Sequence, residues 1–156
     1  QALIDGGCDV LGQHCDSTAP MTTAEQNGVW GVGYNSDMIE AAPNAVLTSA
    51  VWDWSKYLTF AVQSLVDGTP IPTDWSGGMK DGVCDISTLN ENVIAEGTAE
   101  AIDDAIEKIV SGELQVFAGP LYDNEGNEVV ADGEVFVEPQ SAPSFDAVLQ
   151  GITVLS

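Results

Sequence analysis

The sequence predicts an α/β fold: an open parallel sheet with helices on both faces, plus a β-hairpin near the C-terminus. The first observation behind this is a unit of strand, polar tip and helix, which occurs in residues 8–27 and starts again at residue 29. Repetition of such a unit is typical of a parallel sheet whose connections pack on its faces. The second observation is a change after residue 112, where β-rich segments are separated by Asn-Glu-Gly-Asn and Asp-Gly turns, which favour hairpins.

The stretch CDVLGQHCDS, residues 8–17, holds the first strand and the most polar of the strand tips. Its apolar centre at 10–11 is followed by polar residues at 13–17. The serine and threonine after the tip can cap a helix that ends near residue 27, before a glycine. Ligands of open α/β sheets bind where strands end, so this tip is the first candidate site.

The later elements are assigned from the hydrophobic period. Apolar residues at a helical period predict helices, and short apolar runs bounded by turn residues predict strands. In chain order we expect a strand over 29–34, a strand over 46–51, a helix over 53–66, a short strand from Trp75, a turn at 80–82, a strand over 83–86 and a helix over 92–110.

Composition limits the number of domains and the kinds of binding partner that the chain can have. With 156 residues, 44% of them hydrophobic, the chain can bury one core, and we expect residues 1–156 to form a single α/β lobe. Its 25 acidic residues face three lysines and no arginine, which gives a net charge of −22. A surface this acidic repels polyanions and so argues against binding to nucleic acids or to anionic lipids.

The cysteines bear on disulfide bonds and zinc sites, and the first residues bear on whether the chain is part of a longer protein. The three cysteines, at positions 8, 15 and 84, have no CxxC spacing, so neither a disulfide framework nor a zinc site is indicated. The opening QALIDGG is typical of the last turn of a helix that ends at glycines. We therefore expect a fragment of a longer protein, whose N-terminal part includes any export signal.

The sequence contains no clear catalytic constellation. The single histidine, His14, stands beside Cys15, and neighbours on an extended strand point to opposite faces, which disfavours a Cys-His enzyme. No GxSxG elbow, GxGxxG fingerprint or Walker loop occurs, so hydrolase, dinucleotide and triphosphate sites lack support. A metal site built from His14, Asp16 and Asp37 would have little specificity. The prediction is a protein without catalysis, cofactor or metal.

With catalytic and cofactor motifs absent, the polar and aromatic residues of the chain suit a ligand-binding cleft. A carboxylate accepts hydrogen bonds from two hydroxyls and an aromatic wall stacks on a flat ring, so ligands that carry both suit this chain. The candidate ligand-binding residues are Gln13, His14, Asp16, Ser17, Asp37, Trp52, Trp54 and Lys80.

Several of these residues also have a purely structural interpretation. Asp37, the best candidate for a hydroxyl acceptor, would equally serve as a helix cap or turn aspartate. Lys80 either donates to ligand oxygens or is a solvated turn lysine. Trp52 and Trp54 lie two apart, hence on one face if the strand continues, and a core role for at least one is expected. His14 is either a donor to the ligand or a polar strand-end residue.

Four segments together carry a resemblance to a known family. They are ALIDGGCDVLGQHCDSTAPMTTAEQNGVWGVGYNSDM (2–38), WDW (52–54), GGMKDGV (77–83) and FAGPLYDNEG (117–126). In this order they resemble the C-terminal lobe of the basic membrane protein (Bmp) family of ABC-transporter substrate-binding lipoproteins, over nearly the whole chain.

The resemblance implies one lobe of a type I periplasmic-binding-protein fold, in which two α/β lobes close on a ligand that is often a purine nucleoside or base. It implies that the N-terminal lobe and the hinge strand, with one of the family's ring-stacking aromatics, are absent from this chain. The implied partners are that lobe, a small-molecule ligand and an ABC permease. The implied location is extracytoplasmic, either periplasmic or anchored as a lipoprotein.

The resemblance also assigns roles to residues. It implies that the tip at 13–17 faces the cleft, that Asp37 binds the sugar hydroxyls or the base, and that Lys80 lines the site. Two residues depart from the family's pattern: Cys15 stands where relatives commonly have threonine or glycine, and Asn35 where many have aspartate. Such side chains read the edge of a purine, so the exact ligand stays open.

The predicted function is therefore solute binding for an ABC importer by hinge closure. Two other classes remain open. A ligand-sensing domain of a signalling protein would be revealed by a DNA-binding or membrane segment upstream. A doubly wound enzyme acting on a nucleoside would be revealed by turnover.

Overall fold

The computed structural model describes residues 1–155. Its centre is a four-stranded sheet in the order β1-β2-β3-β4, formed by Val10–Gly12, Trp30–Asn35, Val46–Trp52 and Cys84–Ile86. Strands β1, β2 and β3 are parallel to one another, whereas β4 runs antiparallel to β3. The predicted α/β class with a mostly parallel sheet is confirmed.

The remaining elements follow the predicted order. The helices are α1 Ala2–Asp5, α2 Ala19–Gln26, α3 Ser55–Asp67 and α4 Thr98–Ser111, with 3₁₀ turns at Ile39–Ala41 and Met79–Asp81. The predicted hairpin is present as a separate sheet of β5 Leu121–Tyr122 and β6 Glu128–Val130. Within residues 1–155, no helix has both the length and the apolar character that a membrane span requires.

The main core lies between the sheet and α2. Its buried residues are Leu11, Met21, Ala24, Met38, Ala42, Ala45 and Val46. Met21 is fully buried, and a Cβ placed on Gly31 of β2 would stand only 2.6 Å from its sulfur. The glycine spacing of β2 therefore lets α2 pack directly on the strand.

The opposite face of the sheet borders α4. Because side chains alternate along a strand, Leu47 points away from the core that its neighbour Val46 enters. Leu47 and Val32 line a groove of about 430 Å³ together with Ile102 of α4. Helices thus lie on both faces, as predicted.

Strand β4 is the one strand of this sheet that departs from the parallel direction. After α3 the chain returns through residues 69–83 to the edge where β3 ends, so β4 starts beside Trp52 and runs the opposite way. The register pairs Trp52 with Cys84 and Ala50 with Ile86.

The short strand expected from Trp75 was wrong. Gly77 lies against the side chain of Val83, and the Gly78 N–H donates to the Asp81 carboxylate at 2.9 Å. These contacts start the 3₁₀ turn in place of a strand.

The fourth helix begins later than expected, at Thr98 instead of residue 92. The amide nitrogen of Asn90 donates to the carbonyls of Pro43 and Val46, each at 2.8 Å, which holds the preceding segment against the sheet. Gly97 then has a φ of +82°, outside the helical region, so the helix starts after it.

Candidate ligand-binding site

The candidate site lies at the carboxyl edge of the sheet, where β1, β2 and β3 end at Gly12, Asn35 and Trp52. Parallel strands end at one edge, so the polar tips after β1 and β2 and the WDW segment are neighbours. Strand β4 starts at this edge and brings the turn Met79–Asp81, which contains Lys80, to the same side. The fold thus collects the segments that carry the candidate residues.

The side chain of Gln13 is anchored in the tip of β1. Its Nε2 donates to the carbonyl oxygen of Ser17 and to the sulfur of Met38, each at 3.1 Å. Its Oε1 is buried and has no hydrogen-bond partner within the described residues. An unmatched buried acceptor costs about 1–3 kcal/mol, so a ligand donor that reached this atom would gain an unused partner.

A first groove, of about 540 Å³, opens beside this tip. Gln13, His14 and Cys15 line it, together with Pro20 and Thr23 of α2. Strand β1 ends at Gly12, so the alternation of an extended strand does not continue through His14 and Cys15. His14 and Cys15 nevertheless both line this groove.

A side-chain hydrogen bond joins the tips of β1 and β2. The Asn35 amide donates to Asp16 Oδ1 at 3.1 Å. Asn35 has a φ of +70°, in the left-handed region that asparagine adopts more readily than most residues. The bond fixes the position of the Asp16 carboxylate relative to β2.

Asp37 bonds to the backbone of its own turn. Its Oδ1 accepts a hydrogen bond from the Ile39 N–H at 2.9 Å, so the turn role considered for this aspartate is present. The bond uses one oxygen of an exposed carboxylate. The turn role therefore does not exclude a part in ligand binding.

A row of aromatic rings crosses the edge from β1 to β3. The His14 and Tyr34 rings stand edge to face with centroids 6.1 Å apart, and the Tyr34 and Trp52 rings do so at 5.8 Å. Such pairs contribute about 0.5–1.5 kcal/mol each beyond their buried area. The row therefore orients His14 and Trp52, with Tyr34 between them.

The junction between β3 and α3 is charged. Hydrogen bonds from Ser55, including its N–H at 2.9 Å, lower the pKa of Asp53 below its usual 3.8, and the Lys56 charge at 3.6 Å adds to the effect. Lys56 also lies over Gly82, where a Cβ would stand 3.1 Å from Lys56 Cε. Lys56 thus packs on the turn that carries the exposed Lys80.

A second groove, of about 430 Å³, opens at the end of β3. Its lining includes Tyr34, Trp52, Trp54 and Trp75. Trp52 is the last residue of β3 and Trp54 directly precedes α3, so the two share a groove without sharing a strand. They are 36% and 60% exposed, and the expected core role for one of them was wrong.

Trp75 is the residue of this groove that sequence reasoning did not select. Its ring lies 5.1 Å from that of Tyr57 and stacks on that of Phe60 at 6.2 Å, so α3 supports it from behind. A signal was available, because three of the chain's four tryptophans fall between residues 52 and 75.

The candidate residues are divided between the two grooves and the surface around them. Gln13 and His14 line the first groove, and Trp52 and Trp54 line the second. The four that line neither of these grooves are Asp16, Ser17, Asp37 and Lys80. Across residues 1–155, no three or more His, Cys, Asp or Glu side chains are grouped to hold a metal ion.

Comparison with known sequences identifies similar proteins. The Bmp family model, described as ABC transporter substrate-binding protein PnrA-like, matches residues 1–118. A purine-binding protein of Brucella abortus is 34% identical over 134 residues, which are 86% of this chain and 38% of that protein. A Haloferax volcanii protein, provisionally named an ABC transporter glucose-binding protein, is 35% identical over 127 residues, 81% of this chain and 32% of its own. The chain thus spans less than two fifths of the length of either curated relative.

A solved structure shares the fold. A transcriptional activator of the comK gene from Bacillus halodurans superposes with a TM-score of 0.62 over 72% of this chain and 40% of that protein. The two sequences are 19% identical over the match, so the likeness concerns the fold alone.

Proposed function

This chain belongs to the Bmp family of PnrA-like ABC transporter substrate-binding proteins, and from that membership we propose that it is one lobe of the solute-binding component of an ABC importer. Its role is to bind a small solute outside the cytoplasm and present it to a permease, without catalysis. Attachment to the membrane as a lipoprotein belongs to the same proposal.

The observation that supports this function is the composition of the carboxyl edge. Carboxylates at Asp16 and Asp37, an unmatched acceptor on Gln13 and exposed rings at Trp52 and Trp54 lie at one edge of the sheet. These groups recognise hydroxyls and flat rings through hydrogen bonds and stacking.

The ligand we propose is a purine nucleoside or base. A nucleoside combines a flat heteroaromatic ring with sugar hydroxyls, which are the two chemistries present at this edge. The relative from Brucella abortus is named for purine binding, which favours this class. The Haloferax volcanii relative is provisionally named for glucose, so glucose is the competing ligand to test.

The binding mechanism is hinge closure with a second lobe. Open grooves such as these surround a ligand only in part, and the curated relatives are more than twice as long as the matched segment. A second lobe supplies the remaining contacts, so the ligand stabilises the closed state by the interactions made only there. The permease then recognises the closed state.

The proposal also gives the candidate residues separate roles. Asp37 accepts hydrogen bonds from sugar hydroxyls or the base, and Lys80 donates to ligand oxygens from the turn before β4. Asp16, Ser17 and His14 contribute polar contacts from the tip of β1.

Calorimetric titration of the full-length protein tests the proposal. The ligands are adenosine, guanosine, inosine and the free bases, with glucose, ribose and an amino acid as comparisons. We expect saturable binding of a purine compound and no product formation. In Asp37→Asn the amide oxygen still accepts from the Ile39 N–H while the charge is lost. Affinity should fall about tenfold or more, because hydrogen bonds to charged groups contribute about 1.5–3 kcal/mol.

The matched control is Asp132→Asn, which removes the same charge from an exposed position after β6 and should leave the affinity unchanged. Binding of glucose alone would replace the purine assignment and keep solute binding. Turnover of a nucleoside, or the absence of binding to any small solute, would contradict the proposed function.

A further inference from the structure

We infer that residues 138–145 form a movable strap that controls access to the second groove, with the contact between Ser141 and Asp74 as its latch. The strap lies after residue 118, where the match to the family model ends. The inference goes beyond the proposed function, because it concerns entry to the groove whichever solute the protein binds.

Aromatic rings anchor both ends of the strap. Phe136 lies just before it and Phe145 is its last residue, and the centroids of the two rings are 5.0 Å apart. The Phe117 ring lies 4.7 Å from that of Phe145 and 6.2 Å from that of Phe136. All three side chains are half-buried. The ends of the strap are therefore held together, and its middle can move without separating them.

A carboxylate inside the strap fixes its shape. Glu138 accepts hydrogen bonds from the N–H and the hydroxyl of Ser144, at 2.8 and 2.7 Å, and from the N–H of Phe145 at 3.1 Å. Pro139 and Pro143 lie between these partners and restrict the backbone further. The strap is therefore a closed loop that can move as one piece.

The latch attaches the middle of the strap to the loop before Trp75. The Ser141 N–H lies 3.2 Å from each oxygen of the Asp74 carboxylate, and the Ser141 hydroxyl bonds to one of them. Residues 138–144 are exposed throughout, so they have little buried contact with the lobe. Segments with few buried contacts open at a low cost in free energy. Loss of the latch should therefore release the strap.

Ser141 stands where the second groove meets a smaller one. The smaller groove, of about 230 Å³, has Tyr57 and Pro72 in its lining. Ser141, Trp54 and Trp75 line both grooves. Release of Ser141 would therefore join the two grooves into one open surface along the two tryptophans.

The position of the latch makes Trp75 its reporter. Asp74 directly precedes Trp75, whose half-buried ring packs against those of Tyr57 and Phe60. Opening of the strap removes Ser141 from one side of this ring, while α3 continues to hold the other. The exposure of Trp75 should therefore rise when the strap opens.

Two measurements on the full-length protein test the latch. Hydrogen–deuterium exchange, followed by mass spectrometry of peptides, reports the opening of residues 138–145. Hydroxyl-radical labelling, quantified for each tryptophan separately, reports solvent access to the groove at Trp75. Asp74→Ala removes the acceptor of the latch, and Ser141→Ala removes one of its two donors. Trp30, which is 40% exposed at the start of β2, is the internal reference.

The matched control is Asp146→Ala, which removes an exposed carboxylate one residue beyond the strap and leaves the latch intact. Each variant is first checked for a melting temperature close to that of the unmodified protein. If Asp74→Ala does not fold, the milder Ser141→Ala provides the test.

We expect Asp74→Ala to speed exchange of the strap about tenfold or more, because two donors lose a charged acceptor. Labelling of Trp75 should rise in parallel, and labelling of Trp30 should not change. Ser141→Ala should act in the same direction but less strongly, since the backbone N–H still reaches Asp74. Asp146→Ala should leave both readouts unchanged.

Unchanged exchange of the strap in both latch variants would overturn the latch. Faster exchange with unchanged labelling of Trp75 would overturn control of the groove, because the strap would then move without opening it. Equal effects in Asp146→Ala would overturn the assignment to Ser141 and Asp74. None of these outcomes requires a bound solute, so failure of the strap is distinguishable from failure of the proposed function.

Discussion

The tips of β1 and β2 lie at the same sheet edge as the junction between β3 and α3, but the two regions are held in place differently. At the tips, side chains bond to one another and to nearby backbone, as Asn35 does with Asp16, above a core that contains the fully buried Met21. At the junction and along α3, large side chains remain in solvent: Trp54 is 60% exposed, and Leu65, in the last turn of α3, is 72% exposed.

The difference shows that the buried core and the exposed apolar surface lie in separate parts of one lobe. The region of β1, β2 and α2 uses its apolar side chains to build the core and leaves polar groups at the edge. The region of β3 and α3 contributes Val46 to that core, while the end of β3 and helix α3 leave aromatic and aliphatic side chains exposed. The first region therefore supports the fold, and substitutions of exposed side chains in the second should have a small effect on stability.

The largest effect expected from this contrast is on stability. Met21→Ala should lower the free energy of unfolding by about 2–5 kcal/mol, because it leaves a cavity in the core. Leu65→Ala should change it by less than about 0.5 kcal/mol, because that side chain is exposed. Urea denaturation of the 156-residue chain, followed by circular dichroism, measures both. Similar losses in the two variants would show that the apolar face of α3 is also packed.

A smaller effect is expected where the segment after β4 is bonded to the start of β3. Asn90 follows β4 but donates to the carbonyls of Pro43 and Val46, on the segment that leads into β3, and it is 3% exposed. Asn90→Ala should cost about 2 kcal/mol, because two carbonyls lose their donor. The control Asn92→Ala changes an exposed side chain, and an equal loss in that variant would contradict the assignment.

The smallest effect concerns thiol chemistry. Burial, with the neighbouring Asp85 charge, raises the pKa of Cys84 above its usual 9.0, whereas Cys15 in the first region is exposed. A raised pKa means less thiolate at a given pH, so at pH 8 Cys84 should react with iodoacetamide more slowly than Cys15. The difference between the labelling rates of the two cysteines should narrow as the pH rises above 9. Mass spectrometry of a Cys8→Ser protein measures both rates, and faster labelling of Cys84 would contradict the prediction.

The region of β1, β2 and α2 was largely predictable because its signals are local. Alternation and glycine spacing place β2 within one residue of its predicted bounds, and the tips follow from where apolar runs stop. The direction of β4 was not predictable in this way, since it depends on how residues 69–83 return to the sheet. The start of α4 likewise depends on Asn90 reaching carbonyls that lie 44 and 47 residues earlier.

The aromatic part of the site was only partly predictable for the same reason. Trp52 and Trp54 were selected from their spacing, on the assumption of a continued strand, but they meet in one groove because the chain turns into α3 between them. Trp75 enters the site through rings on α3, and Tyr34 through contacts with His14 and Trp52. Such contacts arise from tertiary packing, which the spacing of residues does not encode.

The bond between Ser141 and Asp74 has a consequence for the order in which the protein is made. The two residues lie 67 positions apart, so the second groove stays incomplete until the ribosome has synthesised the segment around Ser141. The strands of the sheet end at Ile86, so the sheet can assemble while the last wall of the groove is still missing. A newly made chain would thus form its sheet first and complete the second groove last.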